Sequence, residues 1–242
     1  MPFLSKDLKT KGYEAFFYYG GDVNFANMKS YLINGGFNEI YAEKDFSYSG
    51  YRSNWGIPDY FIYDILFESV VNEKKPSFHV MLTLSHHEPF DIPVPPHFKG
   101  PGIKNKFYSS AYFADSCLGN FINKLKNTEK WKSSLIIIVA DHGSAFPDFS
   151  LYHEPAKYRI PMLWLGGAVK KDTVISKYCV QSDIAVSLLH QLGIGSNGYV
   201  LGKDVFSPSS GSFTFYSFMD GMAMMSDSLS FGYDFISKRI LF

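Results

Sequence analysis

Residues 136–148 read IIIVADHGSAFPD. Ile136, Ile137, Ile138 and Val139 are β-branched and stiff at χ1, so they predict a strand. The run has no polar alternation, which argues for a sheet covered on both faces. It ends directly in Asp141-His142-Gly143. A carboxylate oxygen and a neutral imidazole are both ligands for Mn²⁺ or Zn²⁺, and Gly143 permits the sharp turn that brings two adjacent side chains onto one ion. The plainer alternative is a capping Asp beside a buried, hydrogen-bonded His. Two donors leave a metal site incomplete, because structural and catalytic sites take three or four protein ligands. Any partners must come from elsewhere.

Outward from this strand, strand and helix patterns alternate. Residues 13–19 (YEAFFYY) and 37–41 predict strands, with Gly20-Gly21-Asp22 turning the first. Asn24 is placed to cap a helix running to Asn34, stopped by Gly35-Gly36. Pro58 suits the start of a helix to about Asn72, with Ile62, Ile65, Leu66 and Val70 on one face. Residues 78–84 (FHVMLTL) predict a second fully covered strand. A Pro-rich loop follows, and then a long helix marked by Phe107, Ala111, Leu118, Phe121, Ile122 and Leu125. Residues 135–140 and 160–165 predict two more strands, and Ser182 or Asp183 caps a helix to Gln191. The tail carries turn signals at Asp220-Gly221 and Ser226-Asp227-Ser228, the pattern of an antiparallel meander. Alternating strands and helices predict an α/β fold: a three-layer α/β/α arrangement on a mostly parallel sheet, with the meander at its C-terminal end. No linker divides the chain, so 1–242 reads as one domain.

Composition narrows the function. The 242 residues carry 23 Lys plus Arg and 23 Asp plus Glu, a net charge of zero, so nothing points to a nucleic-acid partner. Cys117 and Cys179 form neither a metal-spacing pattern nor a disulfide framework, and Cys117 falls in a helical apolar pattern, where a buried thiol is expected. No apolar run approaches the ~20 residues of a membrane span, and no signal peptide opens the chain. Taken as it stands, the chain reads as soluble. There is no G-x-S-x-G elbow, and Gly20-Gly21 lacks the Lys-Ser or Lys-Thr of a phosphate-binding P-loop.

In open α/β sheets ligands lie at the carboxyl ends of strands. Three polar clusters fall there: Gly20-Gly21-Asp22, Ser85-His86-His87-Glu88, and Asp141-His142. Side chains alternate on a strand, so one of His86 and His87 is expected to face a pocket and donate to a phosphate or sulfate oxygen. His153, in a loop with Glu154, either reaches the same pocket or is a surface His. His79, His97 and His190 have no supporting context.

Together, IIIVADHG (136–143), RIPMLWLGG (159–167) and QSDIAVSLLHQLGI (181–194) resemble the sulfatase and alkaline-phosphatase-like superfamily. KGYEAFFYYGGDVNFANMKSYLINGGFNEIY (11–41), SNWGIPDYFIYD (53–64) and TLSHHEPF (83–90) resemble, in order, segments of its lipoteichoic acid synthase, or phosphoglycerol transferase, branch. The resemblance implies an alkaline-phosphatase-like fold and an enzyme in which a hydroxyl attacks phosphorus with help from a divalent metal, Mn²⁺ first, with Zn²⁺, Mg²⁺ or Ca²⁺ as alternatives. It implies Asp141 and His142 as metal ligands. It also matches His87 to the family's substrate-contacting His and sets Phe25 and Asn27 at substrate-binding positions, while Asp22, His86 and His153 stay candidates for substrate contact from their places at strand ends and in the loop with Glu154. Phe25 and Asn27 stand where the branch carries Trp and Arg. Asn cannot clamp a phosphate as Arg does, so the phosphoglycerol headgroup is not implied by those two positions.

The implied substrate is a small phosphoester or sulfate ester, lipid-linked or glycan-borne. Branch members are membrane-anchored, with this domain outside the cytoplasm at the cell envelope. In the family, the nucleophile and the first metal-binding acid precede the segment matched by 11–41. No residue of this chain is therefore assigned as the nucleophile, which is expected upstream of Met1. The expectation is a C-terminal part of such an enzyme, inactive alone and completed by an N-terminal segment or a partner chain. Two other readings stay open: a non-catalytic domain that binds a ligand or partner, and one piece of a split enzyme.

Overall fold

Glu14–Tyr19 becomes a strand because its aromatic and apolar residues can all be buried: from Ala15 to Tyr19 every residue is. The computed structural model describes residues 2–144, 146 and 151–242. Met1 lies outside the described residues. The described residues form two compact units, one of Phe3–Leu135 with Gly166–Ala168, the other of Pro2, Ile136–Leu165 and Val169–Phe242.

The first unit runs α1 (Leu4–Lys9), β1 (Glu14–Tyr19), α2 (Met28–Asn34), β2 (Glu39–Tyr41), α3 (Asp59–Asn72), β3 (Ser77–Leu82) and α4 (Ile103–Lys126). Its sheet has the order β2-β1-β3 with both pairings parallel, so β1 is central and covered, as its apolar run requires. Phe17, Tyr19, Val23, Leu32, Ala42 and Leu84 form one core cluster. On α4, Phe113, Cys117, Phe121 and Leu125 recur every four residues and are all buried, an apolar stripe worth about 1.5–3 kcal/mol for each large side chain it hides. Burial pushes the Cys117 thiol up to about 12, so it is an inert core residue, as the sequence predicts.

His79, for which the sequence offered no role, belongs to this core. Its ring stacks on Phe16 with centroids 4.9 Å apart. The Tyr18 hydroxyl donates to Ser69 Oγ at 2.6 Å and meets His79 Nδ1 at 3.0 Å. Burial holds the imidazole near 4, so it stays neutral at physiological pH.

The second unit contains β4 (Ile136–Val139), β5 (Met162–Leu165), α5 (Asp183–Gln191) and the strands β6 (Phe213–Phe218), β7 (Gly221–Ser226), β8 (Ser230–Asp234) and β9 (Arg239–Ile240). The last four form the expected antiparallel meander, in order β6-β7-β8-β9. The turn signals fall at its strand junctions, Asp220 just before β7 and Asp227-Ser228 just after it. One expectation changes here: β4 pairs with β5 antiparallel, in its own two-stranded sheet. Parallel pairing needs a crossover element, usually a helix. Between Val139 and Met162 the described residues supply only a 3₁₀ turn at Pro155–Tyr158, so the chain returns in the opposite direction.

A second expectation also changes. The α2 helix starts at Met28, not after Asn24. Asp22 Oδ1 accepts both the Asn24 backbone N–H (2.9 Å) and its Nδ2 (2.8 Å), a local turn that competes with capping. Ala26 and Asn27 then take left-handed φ values of 50° and 58°.

Candidate functional site

Asp141 and His142 lie just past β4, with side chains 69% and 76% exposed. The sequence kept a buried, hydrogen-bonded His as one reading, and this exposure removes it. The His142 backbone N–H donates to Asp141 Oδ1 at 2.9 Å, leaving Oδ2. The His142 Nδ1–H donates to the Gly143 carbonyl at 2.8 Å. That bond fixes the tautomer and leaves the Nε2 lone pair outward, the usual arrangement of a metal-ligating imidazole. Nε2 and Oδ2 are 3.6 Å apart. This is too long for a hydrogen bond and close to the spacing that two metal bonds of about 2.0–2.2 Å leave between ligands. Gln181 Nε2 donates to the Ala140 and Asp141 carbonyls at 2.7 and 2.8 Å and pins the turn from behind.

The donors fit a divalent cation in kind but not in number. Among the described residues no group of three or more His, Cys, Asp or Glu could hold a metal ion. Gly143 has a role other than a special backbone angle. A Cβ there would lie 1.7 Å from the Lys157 carbonyl oxygen, so the position needs glycine for close approach. Gly143→Ala should displace the turn and weaken Mn²⁺ binding by isothermal titration. Gly119→Ala, where a Cβ meets nothing within 4 Å, should leave binding unchanged and stabilise α4 by about 0.5–1 kcal/mol.

In the first unit, β1 and β3 are parallel neighbours with Tyr19 opposite Leu82. The loops after them therefore leave the same edge of the sheet. Segment 53–59 ties these loops together. The Ile57 N–H donates to the Gly20 carbonyl at 2.9 Å. Gly56, at φ 132°, sits where a Cβ would be 2.2 Å from that same oxygen. Trp55 Nε1 donates to the Glu88 carbonyl at 2.6 Å. Asp59, only 1% exposed, accepts the Leu84 and Ser85 N–H groups at 2.9 and 3.0 Å, and its own N–H donates to Ser85 Oγ at 2.9 Å.

The outcome is a ring surface. Phe25, 57% exposed, meets Trp55 edge-on with centroids 5.8 Å apart and planes at 88°. Trp55 packs against His87 at 3.8 Å, and His87 is exposed. Asp22 and Asn27 flank Phe25 on its loop. His86 turns the other way: it is half-buried, contacts Ser110 Oγ at 2.8 Å through Nδ1, and packs on Phe90 and Phe107. The pair thus divides inward and outward, although both residues sit in a turn beyond β3, not on the strand itself. His153, in the second unit, has an Nδ1 that is buried without a hydrogen-bond partner, and its carbonyl accepts from the Tyr216 hydroxyl at 2.9 Å. Trp55 was not singled out in the sequence. Its signal was present in SNWGIPD, a Trp beside a Gly-Ile-Pro turn, but the ring contacts depend on loops distant in the chain.

A family model described as Sulfatase matches residues 1–194. The chain is 23% identical to lipoteichoic acid synthase 2 of Bacillus subtilis, over 83% of this chain and 34% of that protein. It is also 23% identical to phosphoglycerol transferase I of Xanthomonas campestris, over 84% of this chain and 31% of that one. It therefore spans about a third of the length of these curated relatives. Among solved structures, an alkaline phosphatase superfamily protein from Vibrio parahaemolyticus superposes with TM-score 0.77 at 24% identity, over 98% of this chain and 61% of that one. The lipoteichoic acid synthase LtaP of Listeria monocytogenes gives 0.77 at 21%, over 99% and 67%. A phosphoglycerol transferase of Streptococcus pyogenes, solved with sn-glycerol-1-phosphate, gives 0.55 at 18%, over 74% and 50%.

Proposed function

The chain belongs to the sulfatase family, and from that premise we propose that it is the C-terminal part of a metal-dependent phosphoester transferase or hydrolase of the phosphoglycerol-transferase type. Asp141 and His142 supply two ligands to a divalent cation, Mn²⁺ by preference. The remaining ligands and the nucleophile come from residues outside this chain, in a segment preceding Met1 or in a partner chain. The observation that carries the reading is the outward Nε2 of His142 beside the free Oδ2 of Asp141. The metal, when bound, screens charge on the phosphoryl oxygens and activates the hydroxyl. His87 and Phe25, with Asp22 and Asn27 beside them, contact the substrate. His86 packs the His87 loop from inside, against Ser110, Phe90 and Phe107, and His153 serves the second unit, where Tyr216 bonds its carbonyl. The substrate is a small phosphoester, lipid-linked or glycan-borne, and the parent protein is an envelope enzyme anchored in the membrane. Among the described residues no helix is long and apolar enough to cross one.

Titration of the purified chain with Mn²⁺ tests this reading. Weak saturable binding is expected, with Asp141→Asn and His142→Ala each lowering affinity by about tenfold or more, since loss of an outer partner alone costs about 10–100-fold. With a chromogenic phosphodiester and Mn²⁺, the chain alone should give no turnover above the metal-only rate. Binding unaffected by either substitution would refute the ligand assignment. Turnover abolished in His142→Ala would refute the incomplete site and favour a self-sufficient enzyme.

A further inference from the structure

The ring surface of the first unit has a chemistry of its own. Its walls are Phe25 and Trp55 at 88°, with His87 3.8 Å beyond the indole. Two walls at a right angle make a corner that a puckered ring can fill with its C–H face. The indole N–H is already given to the Glu88 carbonyl, so Trp55 presents only carbon. The His87 Nδ1 lies 3.1 Å from that same carbonyl. A carbonyl only accepts, so Nδ1 carries the proton and Nε2 is left as the outward atom. The polar groups brought by the two loops are the Asp22 and Glu88 carboxylates and the Asn24 and Asn27 amides. Asp22 Oδ1 is occupied by Asn24, which leaves Oδ2. Carboxylates and amides pair with hydroxyl groups, and the carboxylates repel an anion.

We propose that Phe25, Trp55 and His87 form a corner that binds an uncharged hexopyranose ring of the substrate or acceptor, with Trp55 as a specificity-determining residue. The puckered ring lays its C–H face on Phe25 and the indole, and its hydroxyls reach His87 Nε2, Asp22 Oδ2 and the Asn27 amide. This deepens the reading above, and rests on it for the role of the sugar as part of an ester substrate or its acceptor. The phosphoryl group is handled elsewhere, so Asn27 is suited to its place: a cation there would compete for the carboxylates that hold the hydroxyls.

The test uses the full chain labelled with ¹⁵N. Its three Trp residues give three indole N–H signals, and Trp55→Phe identifies one. Methyl β-D-glucopyranoside and methyl β-D-galactopyranoside are titrated against sn-glycerol 1-phosphate. At least one hexoside should shift the Trp55 signal saturably, and glycerol phosphate should not. Phe25→Ala should weaken the hexoside by about tenfold, the scale of losing one aromatic anchor, with an unchanged melting temperature because Phe25 is largely exposed. The proposal is overturned if glycerol phosphate moves Trp55 while both hexosides are silent. It is overturned equally if only Trp131 or Trp164 responds, or if no probe shifts any indole. Mn²⁺ titration reads a different set of residues. Hexoside binding without Mn²⁺ binding would sink the metal assignment alone, and the reverse would sink this one alone.

Discussion

Asp183→Ala is expected to destabilise the protein by about 3–5 kcal/mol, the cost of breaking a buried ion pair by removing one partner. Asp183 is 1% exposed, at the start of α5. Its carboxylate accepts the Val180 N–H at 2.9 Å, the Lys203 N–H at 2.9 Å and Lys203 Nζ at 2.8 Å. The Lys203 side chain is itself only 10% exposed. It also donates to the Phe213 carbonyl at 2.8 Å and lies 4.3 Å from the Phe213 ring centroid. Truncation leaves two backbone donors and an ammonium without their acceptor in the interior. Urea unfolding should show the loss as a shifted midpoint with unchanged slope, and the melting temperature should fall by about 2–4 °C per kcal/mol. Asp183→Leu combined with Lys203→Met should recover much of the loss, because an apolar pair removes the stranded charge. A loss under about 1 kcal/mol in Asp183→Ala would refute the account, which rests on the full cost of a broken buried pair. The effect should also reach the proposed metal ligands, Asp141 and His142. Asp183 holds the turn at Val180, and the next residue, Gln181, bonds the Ala140 and Asp141 carbonyls. Mn²⁺ affinity should drop in the same variant.

This coupling marks the boundary of what the sequence discloses. Local patterns were legible: the β-branched run of β4, the aromatic β1, the apolar stripe of α4 and the turns of the meander all follow from side-chain periodicity and turn chemistry. So was the pairing of Asp141 with His142, because the two are adjacent. The illegible parts depend on chain-distant partners. Asp59 looks like an ordinary surface carboxylate in the sequence and Asp183 like a helix cap at most, since nothing local says that the Leu84 and Ser85 N–H groups will meet the one or that Lys203 will meet the other. Trp55 looks like core until two loops far from it in sequence bring Phe25 and His87 to its ring. The antiparallel pairing of β4 with β5 depends on what fills the segment between them, and an apolar run reads the same in either orientation. His86 and His87 do divide, one inward and one to solvent, but a turn held by segment 53–59 sets this, not strand alternation.

The same segment carries the second large effect. Asp59→Ala is expected to cost about 2–6 kcal/mol, because the Leu84 and Ser85 N–H groups lose their shared acceptor in a buried site and each stranded donor costs about 1–3 kcal/mol. Asp59→Asn should cost less, about 1–3 kcal/mol, since one oxygen still accepts but the amide nitrogen now faces a donor. The pH dependence has a definite sign. Burial pushes the Asp59 carboxyl above its ordinary 3.8, and the hydrogen bonds from Leu84 and Ser85 only partly offset it. A carboxyl raised in the folded state contributes stability that is present below its unfolded pKa and lost as pH rises through the folded one. The stability gap between wild type and Asp59→Asn should therefore widen as pH falls from neutral towards about 4. A gap that instead narrowed over that range would mean that the hydrogen bonds outweigh desolvation. The loop that Asp59 anchors carries His87, so both variants should also broaden or shift the Trp55 indole signal before global unfolding. An unchanged indole signal in a folded Asp59→Asn protein would show that the bond from Trp55 to the Glu88 carbonyl holds the His87 loop without the carboxylate, and that Asp59 serves stability alone.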